Sequence, residues 1–445
     1  MTTIALGSRL AGMVPQRSMV SSALGMVGGK ASAMFLGFAF WLAAANLASP
    51  GSVGLAAAAT STIMLVVLVA SSGVAAAVVI GLAERTRTEA NRFLDTALTA
   101  TTVLALLVSG LALLLALLFL DELDAVARSG WFAALFCAMG VLGSLGVVLD
   151  QVSMSDRRGS DVLVRNVANG VVTIVPLALV WAGWVTGSAP VLFAAWVGGS
   201  ATAVILAIRH TRRIFPGSAR RPLIHRASAR SLVGHGLGNQ LLTSAERMPG
   251  LVLPIIVTEV LSPAENAFWY ATWMMAWGVA VVPLSIGTAL FAEVCREPSR
   301  KAPAIRQAVR SSLMLVVPLA VAVGLVAPLL LSLLGDEYSD AGASPLRFLV
   351  LGALPLTFIY AYFAVARATS HLREAILTAL LGGGVGVITA TLFGSGAFGS
   401  GGLTPMAAAW VTIQFITGLW ALWRLKVLSS SAPVLATATT VGVTA

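Results

Sequence analysis

The chain has 445 residues, of which 58% are hydrophobic and only 10% charged, with a formal net charge of +10. A soluble domain carries roughly 25% charged residues, so this composition cannot solvate a globular surface and excludes a water-soluble enzyme or binding module. The basic excess does not point to nucleic acid, because the arginines sit in short loops between apolar runs and not on one face of a domain.

The first apolar segment, 20–48, exceeds the roughly 7–15 residues of a signal-peptide h-region and is followed by no small-residue cleavage site, so it reads as a retained helix. Further runs follow at 53–82, 93–119, 130–151, 163–184 and 190–208, then at 231–258, 265–294, 308–334, 345–366, 374–393 and 403–426. Each is of the length that crosses a hydrocarbon core of about 30 Å. The prediction is an all-α polytopic membrane protein of twelve transmembrane helices. No loop is long enough for a soluble catalytic domain, and no Walker sequence, metal-binding histidine pair or Rossmann glycine pattern occurs, so neither an enzyme, a cofactor nor a metal is expected. Cys137 and Cys295 lack metal spacing and read as small buried hydrophobes. Glycine runs such as Gly28-Gly29 and Gly382-Gly383-Gly384 lie inside apolar segments, where small residues let helices approach closely.

The chain repeats itself once. Ala48-Ser49-Pro50 and Leu261-Ser262-Pro263 end matching apolar runs, and the acidic breaks at Asp121-Glu122-Leu123-Asp124 and Asp336-Glu337-Tyr338-Ser339-Asp340 follow at nearly the same separation, an offset of about 213 residues. The expected organisation is a six-helix lobe over 1–208, a basic cytoplasmic linker over 209–230, a second six-helix lobe over 231–426 and a mobile cytoplasmic tail over 427–445. An even number of spans per half gives both copies one orientation, related by a pseudo-two-fold axis along the membrane normal. Alternate loops are basic (Arg85, Arg87 and Arg92; Arg157, Arg158 and Arg165; the arginines of 209–230; Arg296 to Arg310; Arg367 and Arg373) and acidic (121–124, Glu259 and Glu265, 336–340), which predicts both termini on the cytoplasmic side of a plasma or inner membrane. The linker arginines read first as a connector that enforces topology, with contact to anionic headgroups of membrane lipids as the alternative.

Charges deep within spans are costly unless paired or hydrated, and they mark candidate sites. Lys30 lies about ten residues into the first span, roughly 15 Å deep at 1.5 Å per residue. His235, Asn239 and Glu246 on the seventh span stand at i, i+4 and i+11, one face at 100° per residue, with Arg247 beside them. The repeat offset maps Lys30 near Thr243, so Lys30 and Arg247 would flank a central cavity from the two halves. Two converging cations suit a diphosphate. Other readings stand beside this one: Lys30 as a structural ion pair, Glu246 and Arg247 as charge balance between helices, or Glu246 as a coupling carboxyl for protons or sodium. Trp269, Trp273 and Trp277 form an i, i+4, i+8 stripe that reads as packing or an interfacial belt, or more sharply as a cavity wall for sugars or lipid. Pro254, Pro283, Pro318 and Pro355 permit kinks, and Asn166, Asn169 and Gln414 read as interhelical hydrogen-bond donors and acceptors.

Gly29-Lys30 running into Ala48-Ser49-Pro50-Gly51-Ser52-Val53-Gly54-Leu55, with Pro283-Leu284-Ser285 through Phe291-Ala292-Glu293, Leu333-Leu334-Gly335-Asp336-Glu337-Tyr338 and Leu351-Gly352-Ala353-Leu354-Pro355, resembles the multidrug/oligosaccharidyl-lipid/polysaccharide (MOP) exporter superfamily, above all its polysaccharide-type, Wzx-like flippases. The resemblance covers nearly the whole chain through loose motifs. It implies a two-lobed fold with a central cationic cavity, Lys30 and Arg247 as cavity cations, and transfer of a polyprenyl-diphosphate-linked oligosaccharide to the outer leaflet for cell-envelope polysaccharide synthesis. It also implies glycan polymerases or glycosyltransferases as partners. The alternative is a cation-coupled multidrug exporter of the same superfamily.

Overall fold

The computed structural model describes residues 19–83, 85–155, 159–216, 224–225, 228, 232, 237–369 and 371–430. The tail, most of the linker, His235, Arg157 and Arg158 lie outside the described residues, as do the side chains of Lys30, Arg87 and Asn239.

The first half consists of α1 (Met19–Leu47), α2 (Pro50–Ala83), α3 (Arg87–Phe119), the short α4 (Asp124–Arg128), α5 (Gly130–Ser155), α6 (Gly159–Trp181) and α7 (Ala189–Ile214). The second consists of α8 (Leu237–Val260), α9 (Pro263–Arg296), α10 (Lys301–Leu325), the short α11 (Ala327–Ser332), α12 (Asp336–Leu351), α13 (Ala353–Ala368), α14 (Leu372–Gly394) and α15 (Leu403–Ser430). Among the described residues there is no strand. Eleven helical segments are long and apolar enough to cross a membrane, with α12 and α13 counted together as Asp336–Ala368. The described apolar stretch of α1, Ala31–Leu47, is a twelfth, shorter segment. The chain is a multi-pass membrane protein of twelve helices in two lobes.

Two predicted spans, 308–334 and 345–366, need correction. Pro328 stands in the first turn of α11, where a missing N–H costs nothing and a fixed φ starts a helix, so the apolar run breaks after Leu325. Gly335 then takes φ 135°, a conformation side chains rarely adopt, and α12 begins immediately after it, nine residues earlier than predicted. Elsewhere the local chemistry matches the breaks. Ser49 and Ser262 stand one repeat apart, each ahead of a helix-starting proline, and their hydroxyls accept the N–H of Ser52 (3.3 Å) and Glu265 (3.1 Å). Cys295 is exposed and Cys137 half-buried, so neither is the fully buried hydrophobe expected of it.

The duplication is visible in the packing. In the first half α1 packs on α6, α6 on α7, α2 on α5 and α3, and α5 on α7 and α3. In the second half α8 packs on α14, α14 on α15, α9 on α13 and α10, and α13 on α15 and α10, the same pairs one repeat later. Glycine makes the first-helix contacts close, as its place in the apolar runs predicts. A Cβ at Gly29 would lie 3.1 Å from the backbone of Leu163 on α6, and one at Gly383 on α14 would lie 2.7 Å from Pro249 on α8. Charges tie neighbouring helices at the arginine-rich end: Arg165 on α6 pairs with Asp150 on α5 at 2.7 Å, and Arg424 on α15 pairs with Glu374 on α14, which also accepts from the Tyr362 hydroxyl of α13 at 2.9 Å.

The two lobes share a core in only one half of their height. A single apolar cluster joins Phe40, Ala57, Ile63 and Phe193 of the first lobe to Leu253, Val257, Trp269 and Leu349 of the second, all from the half nearer the acidic loops. Toward the arginine-rich loops the described core separates: one part, built around Val78, Phe93 and Val152 with Leu149 and Val204, belongs to the first lobe and also takes in Leu232, and the other, built around Leu242, Ile305, Tyr362 and Leu425, belongs to the second. Among the described residues the lobes share a core at the acidic end, and the clusters separate toward the other.

Candidate functional site

The lobes meet through α2 against α8 and α9. At the acidic end the approach is as close as backbones allow: a Cβ at Gly54 would overlap the Pro263 carbonyl oxygen, and the Gly54 carbonyl accepts the Asn266 side-chain amide at 2.8 Å. Trp41 of α1 meets Tyr270 of α9 edge-on at 5.0 Å. These residues, with Val53, Ala271, Leu334 and Tyr338, leave an apolar hollow of only about 10 Å³, too little for any substrate.

Further down, the same helix faces part. The α9 face that carries Ala267, Ala271 and Met274 against the other lobe continues, at helical spacing, as Gly278, Ser285, Thr288, Ala289 and Ala292, and all five of these are exposed. Among the described residues a cleft between the lobes therefore opens along this face of α9 toward the arginine-rich loops. Its described walls are small and weakly polar; the hydroxyls of Ser285 and Thr288 donate to the carbonyls of Val281 and Leu284 one turn back.

The candidate residues distribute around this cleft. Lys30 lies on α1, about 25 Å from that helix's acidic end at 1.5 Å per residue, and its side chain lies outside the described residues. Arg247 on α8 is exposed and forms no ion pair among the described residues, about 20 Å from its own helix's acidic end. Neighbouring Glu246 is turned the other way. Its carboxylate, 9% exposed, accepts from Arg367 of α13 at 2.6 Å, and Arg367 also reaches the Thr243 hydroxyl at 3.4 Å. Thr243 and Glu246 thus lie inside the second lobe, held by an arginine that the sequence places in a loop. Asn239 lies one turn before Thr243 on α8, and His235 is outside the described residues.

The tryptophan stripe packs within the second lobe. Trp269 is fully buried, stacks on Trp273 at 5.8 Å, and Trp273 meets Trp410 of α15 at 5.8 Å and abuts Gly250 of α8. Trp277 is half-buried one turn on. Of the candidate interhelical polar groups, Gln414 is buried, Asn166 lies against Gly29 of α1, and Asn169 lies against Gly199 of α7 while accepting from its own helix neighbour Thr173. Among the described residues no group of histidines, cysteines and carboxylates could hold a metal ion.

Sequence reading missed the cross-lobe polar contacts at the acidic end. The Glu259 carboxylate, at the end of α8, accepts the backbone N–H groups of Asp121 (2.8 Å), Glu122 (3.1 Å) and Leu123 (2.9 Å) from the loop after α3. Asn46, at the end of α1, donates to the Leu333 carbonyl at 3.1 Å. The available signal was the repeat itself, since Asn46 and Glu259 stand one offset apart.

No protein-family model matches the chain, and no curated protein matches it. Solved structures do. The inward-facing conformation of a multidrug resistance MATE family transporter of the MOP superfamily superposes with a TM-score of 0.68 at 14% identity, over 90% of this chain and 96% of that one. The lipid II flippase MurJ in its inward closed conformation gives 0.69 at 12% identity, over 91% and 87%. An outward-facing MATE family transporter gives 0.62 at 14% identity, over 96% and 100%. At these identities the likeness is one of fold.

Proposed function

We propose that this chain is an alternating-access membrane transporter of the MOP type, in its inward-facing state, which flips a polyprenyl-diphosphate-linked oligosaccharide or related lipid-linked glycan to the outer leaflet. The observation that carries the reading is the divided core. One apolar cluster joins both lobes over the acidic half, while among the described residues the clusters of the arginine-rich half stay separate. Two duplicated lobes that meet at one end only are the arrangement in which rocking about a central site exposes it to each side in turn. In this reading the arginine-rich end and both termini face the cytoplasm of a plasma or inner membrane.

Support for an anionic headgroup comes from Arg247, exposed and without an ion-pair partner among the described residues, and from Lys30 on α1, about one helical turn further from the acidic end. The wall of small residues along α9 leaves room for sugars, while a prenyl tail would stay in lipid. Trp269 and Trp273 belong to the packing of the second lobe, so they are not proposed as sugar platforms. The cation-coupled drug exporter of the same fold would use Glu246 as its coupling group, and that carboxylate is engaged by Arg367 in this state.

The test is a deletion strain complemented with wild-type protein, Lys30→Ala, Arg247→Ala or the double variant. The expected result is build-up of lipid-linked precursor in the double variant at normal protein level. Unchanged glycan export would remove the proposed site, and drug accumulation without precursor build-up would favour the exporter.

A further inference from the structure

The two lobes are joined at the acidic end by polar contacts that obey the repeat. Asn46 closes α1 and Glu259 closes α8, and they are 213 residues apart, the offset that also relates Ser49 to Ser262. Each crosses the lobe boundary to the loop that follows the third span of the opposite half. Asn46 donates to the Leu333 carbonyl, and Glu259 accepts from the N–H groups of Asp121, Glu122 and Leu123. Each loop in turn sends one leucine, Leu123 or Leu334, into the shared core, both almost fully buried.

We infer that Glu259 and Asn46 form a reciprocal clasp whose release opens the acidic end of the protein. The two arms are unequal by their chemistry. Three backbone donors on one ionised carboxylate are charge-assisted bonds, roughly twice as strong as a neutral one, and they fix the loop as well as the helix. Asn46 makes a single neutral bond across the boundary, and its amide also donates to the Leu42 carbonyl of its own helix at 2.9 Å. Neither arm can survive separation of the lobes, because each joins a helix end of one lobe to a loop of the other. The clasp therefore contributes only to the acidic-end-closed state, which is the condition for a contact to bias a two-state equilibrium.

The location matters as much as the strength. Glu259 engages consecutive N–H groups that point one way in the turn before α4, so they present one anion-accepting surface and no acceptor. Glutamine keeps the shape of glutamate but replaces one acceptor oxygen by an NH₂ facing those same donors. Aspartate keeps the charge and shortens the reach by one methylene. The inference rests on the transport reading only for its consequence in export; the closure itself is measured directly.

The experiment uses the full chain with Cys137 and Cys295 replaced by serine, in lipid nanodiscs, with spin labels at Ala125→Cys on α4 of the first lobe and Ala397→Cys in the second lobe, both exposed positions. Distances between the labels are recorded by pulsed electron resonance. Glu259→Gln is expected to move a resolvable fraction of molecules to a longer distance, changing the closed-to-open ratio by about ten-fold or more, and Asn46→Leu by a few-fold. If Glu259→Gln does not yield monodisperse protein, Glu259→Asp supplies the same reading with a smaller shift. A distance distribution identical to the parent in the monodisperse Glu259 variant overturns the clasp. Failure of the Lys30 and Arg247 experiment alongside a widened distribution would reject the glycan substrate and leave the clasp standing.

Discussion

Gly54 is the position at which one methyl group should do the most damage to closure. Its Cα faces the carbonyl of Pro263, at the rigid first turn of α9, and a Cβ would overlap that oxygen and approach Ala267 N to 2.9 Å. Neither neighbour is the flexible end of a side chain, so Gly54→Ala must move one helix away from the other. Overpacking of this kind costs about 1–3 kcal/mol. Displacement also stretches the 2.8 Å bond from Asn266 to the Gly54 carbonyl, worth about 1 kcal/mol. Together these destabilise the closed acidic end by about 2–4 kcal/mol, a change of about 30- to 700-fold in the closed-to-open ratio at 1.4 kcal/mol per decade. The assay is labelling of a single cysteine, Ala271→Cys, by a membrane-impermeant maleimide. Ala271 is 3% exposed and lines the small hollow between the lobes, so a sulfur fits there and reacts only when the lobes part. Labelling of the Gly54→Ala protein should accelerate until opening no longer limits it. Gly51→Ala, on the same helix with nothing within 4 Å of its Cβ, should label at the parental rate. Equal labelling rates for Gly54→Ala and Gly51→Ala would refute the view that α2 and α9 are held in backbone contact.

Two further outcomes follow from the packing. Arg367→Gln leaves the Glu246 carboxylate, 9% exposed, without its cation and should lower stability in detergent by about 3–5 kcal/mol. Adding Glu246→Gln should recover part of that loss, and strictly additive losses in a double-mutant cycle of thermal midpoints would show the pair to be uncoupled. Gly140→Ala on α5 places a methyl group on the Ser109 hydroxyl of α3 and within 3.3 Å of Ile63 on α2, so a loss of about 1–3 kcal/mol is expected. Gly146→Ala, two turns away with nothing near its Cβ, should unfold at the parental temperature; identical midpoints for the two would remove the three-helix contact.

The helices were legible because their signal is long and redundant. Twenty apolar residues in a row admit few other readings, and the duplicated Ser-Pro starts before α2 and α9 mark the register of the repeat. The break after the third span of the second half was not legible, because Leu325 to Leu334 stays almost wholly apolar while the backbone turns; only Pro328 and Gly335 record the turn. The site was read in part for a different reason. Periodicity puts Thr243 and Glu246 on one face of α8, but it does not say whether that face looks into the cleft or into the lobe. The answer is fixed by Arg367, which is remote in sequence and stands beside a basic loop, so charge counting assigned it to the orientation pattern. Contacts such as Glu259 to the 121–123 amides escape pattern reading altogether, since backbone donors carry no sequence signature.

The partition of the core also constrains how the two ends can exchange. Lipid offers apolar side chains no hydrophobic penalty, so closure in the membrane depends on packing and hydrogen bonds and not on expelling acyl chains. At the acidic end those terms are concentrated in a few places: the Gly54–Pro263 backbone contact, the Asn266 bond, the Trp41–Tyr270 ring pair and the Glu259 carboxylate. Toward the arginine-rich end the same face of α9 carries Gly278, Ser285 and Ala289, exposed residues small enough to admit a close helix approach. Closure of the acidic end thus depends on a handful of contacts, which is why single methyl groups and single carboxylates there should shift it by measurable factors.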